Sequence, residues 1–178
     1  LRAQAYAHLM DLYGNVPFVD ETQTPGQDIP KQIMRPELFK YVESELIAAA
    51  QDLKAPKSNV YGRADQAAAW SLLARVYLNA EVYTGTGRYA DVITYADKVI
   101  ASGYSLNAKY ANLFLADNDQ NNPENILSVV YDGQRTQTNG GTTFLVHAAV
   151  GGNMKPADFG VNGGWGGIRT TKAFVNKF

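Results

Sequence analysis

Cysteine is absent from the 178 residues. Disulfides, thiolate metal sites and cysteine nucleophiles are therefore excluded, while the compartment stays open. Histidine is scarce, with only His8 and His147, and the two are not at metal-binding spacing. No apolar run reaches 18 residues, so no spanning helix is expected. No signal peptide or lipid-attachment cysteine can be read. Charge of one sign is lacking too: 16 Lys and Arg balance 17 Asp and Glu, for a net charge of −1. The basic residues are scattered, which excludes an electrostatic hold on nucleic acid or anionic lipid. A G-x-S-x-G elbow is missing. Glu43 and Glu45 stand two apart on an expected helix and cannot face each other as a catalytic pair. The chemistry of an enzyme is not there, and neither a cofactor nor a metal is expected.

What the chain does have is 46% hydrophobic residues, enough for one ordinary domain that buries about 70% of its unfolded surface. It opens on Leu1 and stops at Phe178, both inside helical patterns, which is expected of a piece of a longer chain. Residues 1–13 read as an amphipathic helix with Leu1, Ala5, Leu9 and Leu12 on one face. Gly14 stops it, and Val16 to Val19 reads as extended around Pro17. Residues 20–34 are a loop. A second helix runs from about Pro36 to Leu53, with Leu38, Val42, Leu46 and Leu53 as its stripe. A third spans Asp65 to Tyr83, its aspartate at the positive end of the helix dipole. A fourth runs from Tyr89 to Ser102 and ends at Gly103. Beyond it the pattern predicts strands at Ile126–Tyr131 and Thr142–Val150, a glycine- and asparagine-rich loop over 151–167, and the start of a further helix from Thr170. The expected organisation is two helical hairpins over 1–103 and a loop-rich segment with short strands over 104–178.

Trp70, Leu73, Ala74 and Tyr77 fall at the spacing of the first helix of a tetratricopeptide hairpin. Tyr89, Ile93 and Ala96 supply the answering helix, and Trp70, Leu73, Ala74, Tyr77, Ile93 and Ala96 are expected in the core. Tyr6, Leu9 and Tyr13, with Val42, Leu46 and Ala49, repeat the scheme loosely.

The wording goes further than generic helix packing. Leu1-Arg2-Ala3-Gln4-Ala5-Tyr6 and Leu12-Tyr13-Gly14-Asn15-Val16-Pro17-Phe18-Val19 resemble the opening hairpin of the SusD/RagB family. So do Gly62-Arg63-Ala64, Leu72-Leu73-Ala74-Arg75-Val76-Tyr77-Leu78, Ser102-Gly103-Tyr104-Ser105-Leu106 and Asn122-Pro123-Glu124-Asn125-Ile126-Leu127. Gly163-Gly164-Trp165-Gly166, leading into Arg169-Thr170-Thr171-Lys172, resembles the family's descent into its next helix. The resemblance covers nearly the whole chain. It implies a mainly α fold of tetratricopeptide-like antiparallel hairpins carrying a loop-rich part. It also implies a surface-exposed outer-membrane lipoprotein that captures a glycan and works with a TonB-dependent, SusC-like transporter. Its membrane attachment would be a lipid anchor outside these residues.

Glycan recognition needs aromatic faces for sugar C–H groups, and amides, carboxylates or guanidinium groups for hydroxyls. The candidates are Tyr131, His147, Asn153, Asp158, Phe159, Asn162, Trp165 and Arg169, with Asn139 beside them. Trp165 on its glycine-rich loop is the foremost, although a tryptophan there can equally pack beneath the loop. Asp117-Asn118-Asp119 begins like a calcium loop, but Asn122 replaces the glycine and Ser128 the terminal glutamate. The competing expectation is a helical protein–protein interaction scaffold with no sugar site of its own.

Overall fold

Helices account for most of the regular structure in the computed structural model, which describes residues 1–23, 26, 29–115, 117–120, 122–131, 134–136 and 141–178. These divide into two compact units, Leu1–Val129 and Val130–Phe178.

In the first unit, α1 (Arg2–Tyr13) leads into a two-stranded antiparallel ribbon, β1 (Val16–Phe18) and β2 (Lys31–Ile33), with Val16 opposite Ile33. The buried face of α1 is Ala3, Tyr6, Ala7 and Met10. It is not the expected face, for Leu1 is 99% exposed and Leu12 71%. Tyr6 settles the rotation. Its hydroxyl accepts from the Val19 N–H at 2.7 Å and donates to the Val19 carbonyl at 3.0 Å. Its ring packs against Phe18 and Tyr41. With alanine on several faces, apolar spacing alone cannot orient such a helix.

α2 (Arg35–Asp52) starts with Pro36 in its first turn and buries Leu38, Val42 and Leu46 of the expected stripe, with Phe39 beside them, while Leu53 is half-buried at the C-cap. α3 (Gln66–Leu78) is capped by Asp65, whose side chain accepts from the Ala68 N–H. Ala67, Ala69, Leu73, Val76 and Tyr77 are buried, and covering Leu73 contributes about 2 kcal/mol. The expected run to Tyr83 is interrupted at Asn79. Its side-chain amide donates to the Arg75 carbonyl, and a short α4 (Ala80–Thr84) follows. α5 (Tyr89–Ile100) returns antiparallel along α3, and Gly103 has φ +85°.

α1 pairs with α2 and α3 with α5, and the two hairpins join through α2 and α3. The fold is thus mainly α and tetratricopeptide-like. Leu73 and Tyr77 hold the expected core places; Trp70 and Ala74 are only half-buried. Ala96 is half-buried against α3, whereas Ile93 is 63% exposed. Helix α5 turns Val92, Tyr95 and Val99 inward instead. A polar seam closes this hairpin. The Tyr77 hydroxyl donates to Glu43 at 2.7 Å, Arg88 bridges Glu43 and Asp91, and the Tyr77 and Tyr95 rings stack.

The described residues among 104–129 follow as irregular chain with a 3₁₀ turn at Tyr110–Phe114. The expected strand at Ile126–Tyr131 does not form. The preceding residues are tied by the Ser105 N–H to the Pro123 carbonyl and the Asn107 N–H to Glu124. Ile126 and Leu127 then line a cleft against the helices, so no ladder partner is met.

The second unit holds α6 (Gly141–Ala149), a 3₁₀ turn at Pro156–Phe159, and α7 (Lys172–Val175), capped by the Thr171 side chain. The expected strand at Thr142–Val150 is therefore a helix. Its threonine and valine content reads as strand, but packing overrides so short a propensity. Ala148, and Val150 just past the helix end, are buried.

Candidate functional site

Helix α6 supplies a platform at its C-terminal turn. Two of its last carbonyl groups, and that of Val150 just past its end, are taken up by the loop at 165–168. The Trp165 N–H donates to the His147 carbonyl at 2.8 Å, the Gly166 N–H to Val150 at 2.9 Å and the Ile168 N–H to Ala148 at 2.9 Å. Helix-end carbonyls need such partners. Glycine makes the close approach possible. A Cβ at Gly164 would lie 2.4 Å from the Val150 carbonyl oxygen, and one at Gly151 would lie 2.6 Å from the Gly166 Cα. The glycines act through close backbone contact rather than as a free loop.

Trp165 is thereby held on its backbone. Its indole stacks on the His147 imidazole, with centroids 4.9 Å apart and planes at 21°, and Phe144 sits tilted at 6.4 Å. His147 is oriented in turn by Nδ1, 2.8 Å from the Gly163 carbonyl oxygen. Because a carbonyl only accepts, Nδ1 carries the proton and Nε2 faces away. Yet Trp165 remains 51% exposed. It does not pack under its loop; one side is braced by imidazole and the remainder meets solvent.

The other candidates are spread along the same unit. Phe159 is 51% exposed at the end of its 3₁₀ turn, and Tyr131 is half exposed. Asn153, Asp158, Asn162 and Arg169 are exposed, and among the described residues their side chains form no hydrogen bond or ion pair. Of the eight, His147 and Trp165 are brought together by ring stacking. Asn139 lies outside the described residues. Phe144 was not among the sequence candidates. Its signal, three residues before His147 on one helix face, is visible only once 141–149 is known to be helical. Among the described residues no group of three or more His, Asp or Glu side chains is placed to hold a metal.

In sequence as well as in its tetratricopeptide-like hairpins, the chain is similar to SusD-like proteins. No protein-family model matches it. Across 181 aligned residues it is 41% identical to the starch-binding protein SusD of Bacteroides thetaiotaomicron, and the match takes in all of this chain. The chain spans 32% of the length of that relative. A SusD-like protein of Bacteroides fragilis is similar in structure, with a TM-score of 0.60 and 29% identity over 74% of this chain and 26% of its own. A SusD-like carbohydrate binding protein of the same species has a TM-score of 0.62 over 73% of this chain and 25% of its own. At 24% identity its likeness is one of fold alone.

Proposed function

We propose that this chain contributes to a glycan-binding surface protein, and that Trp165 is its stacking platform. The observation that carries the reading is the braced, half-exposed indole. A sugar ring laid on it loses little conformational freedom from the protein side, because backbone bonds and the imidazole have already fixed the ring. Exposed amides and Arg169 on the same unit offer hydroxyl partners. The protein binds rather than turns over its ligand, in keeping with a relative named as a binding protein.

The captured oligo- or polysaccharide is passed to a TonB-dependent, SusC-like outer-membrane transporter. The protein sits at the cell surface on a lipid anchor that lies outside these residues. No helix among the described residues is long and apolar enough to cross a membrane.

Affinity electrophoresis of the full-length protein in gels of starch-like, plant and host polysaccharides tests the reading. Retention by one of them, weakened by Trp165→Ala, is expected. Unchanged migration in all of them would sink it.

A second reading, a protein-interaction scaffold, is favoured by a cleft of about 550 Å³ whose lining includes His8, Leu46, Leu53, Leu72 and Leu127. Substituting Trp165 and Arg169 together separates the two. Loss of glycan retention with transporter association intact supports the first reading, and the reverse outcome supports the second.

A further inference from the structure

The first unit contains a small polar cavity of about 180 Å³ between the 57–65 loop and residues 125–128. Its volume is that of roughly six water molecules, the scale of one pyranose ring and too tight for a larger aromatic ligand. We propose that this cavity is a second carbohydrate site, which takes one neutral sugar ring by a pair of adjacent hydroxyls. It stands on residues of the first unit and does not depend on Trp165.

The floor of the cavity is rigid. Asp65 is 2% exposed, and its carboxylate accepts from the Lys57 N–H at 2.8 Å, the Ala68 N–H at 3.0 Å and the Tyr104 hydroxyl at 2.7 Å. Lys57 is the one non-glycine residue with positive φ among the described residues, at +61°. It is kept there by Asp65, by its own Nζ on the Gly103 carbonyl at 2.9 Å, and by its position over the Tyr104 ring. A strained backbone so thoroughly tied down is a feature of preformed sites.

The rim, in contrast, has unused capacity. The Arg63 guanidinium is exposed and has no hydrogen-bond or ion-pair partner among the described residues. The Asn125 amide donates to the Ser128 hydroxyl oxygen at 2.6 Å, which leaves the Asn125 Oδ1 free to accept and the Ser128 hydroxyl free to donate. Tyr61 is 53% exposed and offers a ring face for sugar C–H groups. One acceptor beside two donors is the complement of a vicinal diol, in which each hydroxyl both gives and takes a hydrogen bond. The buried negative charge of Asp65 disfavours a small anion in the same space, despite Arg63.

Saturation-transfer NMR on the full-length protein, with the methyl glycosides of glucose, galactose and mannose as probes, reads both sites separately. The background is Trp165→Ala. At least one glycoside is expected to keep a transfer signal there. Adding Tyr61→Ala and Arg63→Ala should cut that signal several-fold while the melting temperature holds, since both side chains are exposed. No remaining signal in Trp165→Ala, or one indifferent to the two further substitutions, overturns the second site. A signal that Trp165→Ala leaves whole but Tyr61→Ala/Arg63→Ala abolishes would instead count against Trp165, and keep this site.

Discussion

At the scale of single residues, Trp165 has little freedom, held by its backbone bond to His147 and by the imidazole against its ring. His147 acts on it as a positioning residue through ring stacking and through the Gly163 carbonyl. His147→Ala is therefore expected to weaken glycan retention, but by less than Trp165→Ala, while the protein still folds. Gel retention of the two variants side by side checks the order. Gly164→Ala places a methyl group 2.4 Å from a backbone carbonyl. It should destabilise the second unit by about 1–3 kcal/mol, read as a lower thermal midpoint. Asp65→Ala strips three part-buried donors of their acceptor at once and should cost on the order of 3 kcal/mol. Asp65→Asn, which keeps an acceptor oxygen, should cost less.

Among the elements, α3, α4 and the chain just after α5 each carry a tyrosine, buried at Tyr77 and Tyr83 and half-buried at Tyr104, whose titration bears on stability. Burial, and then the bond to Asp11, pushes Tyr83 up to about 12. Burial and Asp65 raise Tyr104 to about 12 as well, and burial with Glu43 holds Tyr77 well above the usual range. In the unfolded chain these phenols ionise near 10. Folding retains the protons, so the stabilisation is whole below pH 10 and is lost as the pH climbs through 12. Chemical denaturation at pH 9, 10.5 and 11.5 should show a falling stability, and Tyr83→Phe should flatten the fall. An unchanged midpoint across that range would contradict the burial of these hydroxyls.

The same elements show how much of the structure could be read in advance. α2, α3 and α5 were legible because leucine, valine and alanine recur at helical spacing and because Pro36, Asp65 and Gly103 mark boundaries. The face of α1 was not, since its orientation is decided by the Tyr6 hydroxyl on Val19, a contact between distant parts of the chain. Ile93 has the right spacing for a core position, yet α5 meets α3 along the neighbouring stripe. At 142–150 threonine, phenylalanine and valine read as strand, and the helix appears only with the loop at 165–168 folded over its end. Trp165 was legible as a candidate from its glycine setting. Its brace was hidden, because recognising Phe144 and His147 as one face requires the helix.

For the whole molecule, sequence and fold agree on a likeness to SusD-like proteins. On the proposed reading, the second unit offers the exposed amides and aromatic rings around Trp165, and the first unit adds the smaller polar cavity. The most direct test of the central claim is calorimetric titration of the full-length protein and its Trp165→Ala variant with the polysaccharide that retains the parent in gels. Loss of a stacking partner should weaken binding about tenfold or more, or roughly 1.4 kcal/mol, with the thermal midpoint unchanged. Equal affinity in the two proteins would contradict the account.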